Sequence, residues 1–275
     1  MPRAGNRRCR VGRCSPRHRG GTMPTRDTPW PDGTPCWIDY GASDLPAAKA
    51  FYGELLGWDW TADSPEFGGY VNALRNGRQA AGLGPLMDPG ASPSWTTYFA
   101  TSDAAATCDR IRAAGGTVVV EPMEVGPMGT MVVARDPQGN QFGLWQAGTH
   151  TGVQVYGEPG SLVWNDAAVD DPAAAREFYA AVFDFTYEEV PGAEGYTTFA
   201  TADRPLGGLG GTSPGVPTGW ATCFGVASTD DTVAAVEAAG GKVTMAPMDT
   251  EFGRFAVLTD PWGAVLTVMQ EPSAA

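Results

Sequence analysis

Asp44-Leu45-Pro46-Ala47-Ala48-Lys49-Ala50-Phe51-Tyr52-Gly53-Glu54-Leu55-Leu56-Gly57 is the stretch on which the fold turns. Ser43 or Asp44 can cap a helix, Pro46 suits its first turn, and Gly57 can stop it. Ala47, Ala50, Phe51, Leu55 and Leu56 recur near helical spacing, which predicts one apolar face. The stretch returns 127 positions later, where Asp170-Asp171 leads into Ala173, Phe178-Tyr179 and Phe183.

Working outward, the repeat continues. Trp37-Ile38-Asp39-Tyr40 precedes the first copy, and Trp164-Asn165-Asp166-Ala167 precedes the second. Gly69-Tyr70 matches Gly195-Tyr196, and Gly82-Leu83-Gly84 matches Gly208-Leu209-Gly210. Trp95-Thr96-Thr97 matches Trp220-Ala221-Thr222, and Ala113 to Gly116 matches Ala238 to Gly241. Asp136-Pro137 and Gly139 match Asp260-Pro261 and Gly263, with the offset drifting only from 127 to 124. Ordered matches with so little drift establish a duplication.

Each copy divides again. Residues 36–41 read as a strand, followed by the helix and by strands 68–74 and 79–84 around Asn76-Gly77. Strand 95–101, helix 103–113 ending at Gly115-Gly116, and strands 117–120, 129–135 and 141–146 repeat the plan. The expected fold is α+β: two tandem domains, each a pair of βαβββ modules forming a cupped mixed sheet with helices outside. Boundaries are expected at 30–147 and 161–272, with residues 148–160 as the linker and 1–29 as a disordered basic tail.

Composition narrows the function. Residues 1–22 hold seven Arg and no acid, whereas 23–275 hold 11 Lys and Arg against 31 Asp and Glu, a net of −20. An acidic surface repels phosphate backbones, so nucleic acid is not an expected partner. No run of 18 apolar residues exists, so no membrane span is expected. The twin Arg7-Arg8 lacks a following apolar segment, and Cys9, Cys14 and His18 lack a fourth zinc ligand; Met23 is read as the natural start. Cys36, Cys108 and Cys223 sit within apolar patterns, as reduced buried thiols of a cytoplasmic protein would.

The pattern at Asp44–Gly57, with Asp136-Pro137-Gln138-Gly139-Asn140, resembles the vicinal oxygen chelate superfamily of glyoxalases, bleomycin-resistance proteins and extradiol dioxygenases. The resemblance covers residues 34–272 and is closest to a tandem actinobacterial branch typified by a mycobacterial antigen. Similar tandem proteins, some labelled hydroxylases, accompany aromatic polyketide and anthracycline biosynthesis. One fold carries many chemistries, so the resemblance implies the architecture more firmly than an activity.

Metal-dependent members of that superfamily carry His, Gln or Glu on the first strand of a module and Glu near the end of its last. The first-strand position falls on Trp37 and Trp164, and on Trp95 or Thr96 and Trp220 or Ala221 in the second modules. The closing Glu falls on Gly143 and Thr267, and the only histidines are His18 and His150. None of the carried-over positions except, weakly, the threonines can hold a divalent ion, so no metal and no cofactor are expected.

Strand alternation predicts the companions of these positions. Trp37 brings Asp39, Trp164 brings Asp166, Gly143 brings Trp145, and Thr267 brings Met269. Trp95 brings Thr97 and Phe99, and Trp220 brings Thr222 and Phe224. Indoles stacking on a flat ligand would make these a binding wall. The alternative is that they plug the cups as core. Asp39 and Asp166 are candidate ligand-binding or catalytic carboxylates, or partners of a neighbouring turn; Tyr70 and Tyr196 either pack or exchange protons. The first expectation is a metal-independent binder of a small planar aromatic molecule, for sequestration and resistance or as an accessory factor. The alternatives are a metal-free lyase, isomerase or oxygenase using an Asp base, and a non-catalytic interaction protein. A monomer or a homodimer fits either.

Overall fold

The computed structural model describes residues 25–202, 204–213, 216 and 218–272. The arginine-rich segment, with Cys9, Cys14, His18 and Met23, lies outside the described residues. The first repeat runs β1 (Pro35–Ala42), α1 (Leu45–Leu56), β2 (Asp59–Trp60), β3 (Val71–Arg75), β4 (Arg78–Pro85), β5 (Ser94–Ala100), α2 (Ala104–Ala113), β6 (Thr117–Glu124), β7 (Gly129–Arg135) and β8 (Gln141–Ala147). The second runs β9 (Leu162–Val169), α3 (Pro172–Phe183), β10 (Thr186–Glu189), β11 (Thr197–Ala200), β12 (Gly207–Gly211), β13 (Gly219–Gly225), α4 (Thr229–Ala238), β14 (Lys242–Thr250), β15 (Gly253–Thr259) and β16 (Val265–Gln270).

The local signals act as expected. The Asp44 carboxylate accepts from the Ala47 N–H at 3.0 Å, and Gly57 ends α1 in the left-handed region at φ 67°. Asp171 caps α3 in the same way, although there Asp184 takes the left-handed position at φ 59°. Asn76 and Gly77, at φ 52° and 75°, supply the positive dihedrals that a tight β3–β4 turn needs. The buried face of α1 is rotated from the expected one. Ala48, Tyr52 and Leu56 are buried, while Phe51 and Leu55 pack at its margin.

Each repeat forms one eight-stranded sheet, ordered β2-β3-β4-β1-β5-β8-β7-β6 and β10-β11-β12-β9-β13-β16-β15-β14. In each, the two modules meet at one antiparallel pair, β1 with β5 and β9 with β13. Each sheet thus has a concave face and a convex back that carries the helices.

The convex backs face each other across the repeats. One apolar cluster joins Ile38, Tyr40, Tyr52 and Leu83 to Phe224, Val236, Leu258 and Val268. A second joins Phe99, Ile111, Phe142 and Leu144 to Val169, Phe178, Tyr179 and Leu209. So α1 packs on the last module of the second domain, and α3 packs on the second module of the first.

A buried carboxylate sits in each cluster. The Asp260 turn of the second domain accepts from the Tyr40 and Tyr52 hydroxyls of the first, at 2.7 and 2.8 Å. The Trp95 indole N–H in turn donates to Tyr52 at 3.0 Å. Reciprocally, Asp136 accepts from Tyr179 at 3.1 Å, and Trp220 donates to Tyr179 at 2.8 Å. Ala167 stands where Tyr40 stands in the first repeat, and the missing donor to Asp136 is supplied by its own Asn140 at 2.9 Å.

Residues 25–29 were expected in the tail but are tied down. Thr25 bridges Val155, the Arg26 N–H donates to the Gln154 carbonyl at 3.0 Å, and the Trp30 indole donates to the Val153 carbonyl at 3.2 Å. The linker supplies backbone partners that an isolated tail would lack. No described helix is long and apolar enough to cross a membrane.

Tyr52→Phe leaves the Trp95 donor without its partner and takes one hydroxyl from a buried carboxylate. It should lower the urea unfolding free energy by roughly 2 to 4 kcal/mol; a loss under about 0.5 kcal/mol would show that the exchanged bond contributes nothing net. A half-chain ending in the linker exposes the shared apolar clusters. It should aggregate or dimerise, and a folded monomer by sedimentation would contradict the shared-core account.

Candidate functional site

The concave faces are set by the central strand pairs. In the first cup Trp37 lies opposite Tyr98 and Asp39 opposite Thr96, while Tyr98 neighbours Gly143 and Ala100 neighbours Trp145. Trp37, Asp39, Thr96, Tyr98, Gly143 and Trp145 therefore share one face. In the second cup Trp164 lies opposite Cys223 and Asp166 opposite Ala221, with Thr267 and Met269 alongside.

The same pairing corrects six expected positions. Trp95, Thr97 and Phe99, and Trp220, Thr222 and Phe224, lie on the convex side, not in the cups. Trp95 and Trp220 hold the exchanged tyrosines, and Thr97 donates across the domain boundary to the Asn165 side-chain carbonyl at 3.1 Å. The buried Thr222 hydroxyl has no partner among the described residues. Of the alternatives at the start of the second modules, Thr96 and Ala221 face the cups. The pairing register of Trp37–Gly41 against Ser94–Tyr98 sets this phase; alternation within β5 alone does not reveal it.

Each cup floor carries an indole, a phenol and a carboxyl. Tyr196 lies flat over Gly208 and Gly210, where a Cβ on Gly208 would coincide with its hydroxyl. Its O–H donates to Asp166 Oδ1 at 2.6 Å, and the Trp164 N–H lies 3.2 Å from both that oxygen and the Tyr196 hydroxyl. Tyr70 lies over Gly82 and Gly84 in the same way and accepts from the Trp37 N–H at 3.0 Å. The glycine pairs thus admit a protein ring, not a phosphate.

The first cup holds residues that the sequence reading did not single out. Tyr98 covers Gly143, at which a Cβ would fall inside its ring. His150, from the linker, stands edge-on to Trp37 with centroids 4.3 Å apart and tilted to Trp145 at 5.3 Å. The Trp145 indole fastens this segment by donating to the His150 carbonyl at 2.8 Å. Trp37, Tyr98 and Trp145 are accordingly 3%, 5% and 7% exposed. In the second cup Trp164 and Met269 remain partly exposed, while Asp39 with Tyr70 and Asp166 with Tyr196 are partly exposed alike. A cleft of about 270 Å³ adjoins Cys36, Trp145 and Trp30, and one of about 250 Å³ adjoins Val163, Gly225 and Met269.

Burial governs the titrating groups. It lifts Asp39 to about 7, with the Tyr98 and Tyr70 hydroxyls holding it partly down. Burial also raises Asp166, against the hydrogen bonds from Tyr196 and Trp164. His150 is lowered to about 4 by burial alone, so its ring is neutral at physiological pH. Burial pushes the Cys36 and Cys223 thiols up, away from thiolate chemistry. A carboxyl near neutrality beside apolar walls can accept a ligand hydrogen bond or a proton.

A divalent metal of the superfamily type does not fit these residues. The first cup holds one imidazole, His150, beside one carboxyl, Asp39, and Trp37, Thr96, Gly143 and Trp145 add no further His or carboxylate, while Trp164, Ala221, Cys223 and Thr267 offer no imidazole or second carboxylate beside Asp166. Among the described residues no three His, Cys, Asp or Glu side chains converge. The Cys223 thiol at the second floor is held protonated by its burial, and the Thr267 hydroxyl is a weak ligand.

Comparison with known proteins gives a consistent lineage. The model of the Glyoxalase/Bleomycin resistance protein/Dioxygenase superfamily matches residues 36–144 and 161–268. The CFP32 protein of Mycobacterium tuberculosis, which carries a glyoxylase name, is 39% identical over 259 residues, covering 90% of this chain and 98% of its own. The anthracycline biosynthesis protein DnrV of Streptomyces peucetius is 37% identical over 257 residues, covering 86% and 93%. Among solved structures, the Mn(II)-bound glyoxalase of Novosphingobium aromaticivorans shares the fold with a TM-score of 0.60 at 16% identity, covering 87% of this chain and 82% of its own. A trihydroxybiphenyl dioxygenase of Sphingomonas wittichii does so with 0.60 at 17% identity, covering 87% and 91%. On the match of both repeats to one family model, the chain belongs to the Glyoxalase/Bleomycin resistance protein/Dioxygenase superfamily.

Proposed function

We propose that this protein binds a small planar aromatic molecule in a cup, without a divalent metal, and acts by sequestration or as an accessory factor in natural-product metabolism. The observation that carries the reading is the floor of the second cup. There Asp166 receives the Tyr196 hydroxyl at 2.6 Å and the Trp164 indole at 3.2 Å, and Trp164 stands at a position where metal-dependent relatives are expected to place a ligand. Indole and phenol faces hold a flat ring, and a carboxyl in an apolar wall fixes its orientation through one polar contact. The similarity to a protein named for anthracycline biosynthesis supports a polycyclic aromatic ligand.

The first test is a fluorescence titration of the full chain with planar aromatic compounds, with and without a chelator. Saturable tryptophan quenching at micromolar ligand, unchanged by the chelator, is the expected result. Absence of quenching by every compound, or its loss on chelation, would reject the reading.

A second reading is favoured by the raised proton affinity of Asp39: a metal-free lyase, isomerase or oxygenase in which its carboxylate is a general base. Its premise can be checked through stability. The folded Asp39 binds its proton up to about 7, whereas the ordinary value is 3.8, so the unfolded chain binds fewer protons between these limits. Stability from this group is therefore lost as pH rises through that window. Asp39→Asn should gain in urea midpoint relative to the parent as pH rises from about 4 to about 7, and then level off. A difference independent of pH would mean that Asp39 titrates normally.

A further inference from the structure

The two cups descend from one repeat, so their aligned differences show how each is used. Tyr98, Gly143 and Trp145 of the first align with Cys223, Thr267 and Met269 of the second. In the first cup a phenol ring lies on Gly143, an indole stands beside it, and His150 is laid against both tryptophans. The rims also meet there: Phe67 comes within 3.9 Å of where a Cβ on Gly126 would stand. The first cup is thus occupied by its own aromatic side chains.

The second cup keeps the floor and lacks the occupants. Cys223 and Met269 replace the phenol and the indole, and the linker histidine has no counterpart at this site in the second repeat. The groups around the two carboxyls differ in kind: Asp39 has two phenols beside it, Tyr70 and Tyr98, whereas Asp166 has one phenol, Tyr196, and the Trp164 indole. Both hydrogen bonds to Asp166 land on Oδ1.

We infer that the second cup alone is the ligand site, and that its ligand is a hydroxylated planar aromatic whose phenolic O–H takes at Asp166 the place of Tyr98 at Asp39. The inference rests on the cup-binding reading above. The first cup serves as a template: it displays, in its own side chains, the phenol and fused ring that the second must receive from outside. Met269 is a flexible, polarizable wall for such a ring, and Trp164 offers it an indole face.

The test is calorimetric titration of the full chain with alizarin, a planar dihydroxyanthraquinone, and with its dimethyl ether. We expect one site per chain for alizarin and at least tenfold weaker binding of the ether. The triple change Cys223→Tyr, Thr267→Gly and Met269→Trp transplants the first cup's occupants and should weaken alizarin tenfold or more. Circular dichroism checks that this variant folds. Asp166→Asn, a smaller change, should abolish the preference for alizarin over the ether. The reverse change Tyr98→Cys, Gly143→Thr and Trp145→Met with His150→Ala should add a second site. Two equivalent sites in the parent, or a single site indifferent to the transplant and to Asp166→Asn, would overturn the inference while leaving the cup-binding reading intact. No heat with alizarin, together with no quenching by any planar compound, would remove both.

Discussion

Two buried carboxylates exchanged between the repeats hold this molecule in its arrangement. Asp260 is reached by Tyr40 and Tyr52 from the other domain, and Asp136 by Tyr179. A carboxylate taken from water is costly unless its lone pairs are filled, and each is filled by turn amides as well as hydroxyls. Removing any donor leaves a buried acceptor short, so the contact tolerates little sliding. The surface ion pairs, such as Arg112 with Glu121 and Arg254 with Asp230, are exposed and add little to this. The inter-domain interface therefore sets polar contacts, these two and the Thr97–Asn165 bond among them, within apolar packing.

That arrangement commits the convex faces and helices to mutual burial. The concave faces are then released from any duty to the inter-domain core, and their residues can diverge. The divergence is visible at matched positions. The first floor retains Trp37, Asp39 and Tyr70 beneath Tyr98, Trp145 and His150, whereas the second retains Trp164, Asp166 and Tyr196 with Cys223 and Met269, among the described residues, in the places of Tyr98 and Trp145. A duplicated scaffold can thus carry two divergent versions of the same floor without a change in topology.

Much of this was legible before any coordinates. The duplication, the helix caps at Asp44 and Asp171, the Asn76-Gly77 turn and the βαβββ order follow from local signals that act over a few residues. The carboxyl–indole pairs Trp37 with Asp39 and Trp164 with Asp166 were legible from alternation within a single strand, as was Trp145 beside Gly143. The helix face was not: Tyr52 is turned inward because a carboxylate 208 positions away receives its hydroxyl. Nor was the phase of β5, which depends on the strand it pairs with and not on its own pattern. An indole is equally at home in a cup wall or a core, so Trp95 and Trp220 gave no sign that they serve the interface.

By itself, then, the sequence determined the repeat, the elements and the chemical character of each strand, because these depend on periodicity and on neighbours within a turn. Only the tertiary structure decided which face of β5 and β13 meets the cup, that Tyr98 and His150 fill the first cup, and that Asp136 and Asp260 serve the opposite domain. Those outcomes depend on pairing register and on contacts between residues far apart in the chain. One residue of register moves every side chain to the other face, and no local pattern encodes that choice.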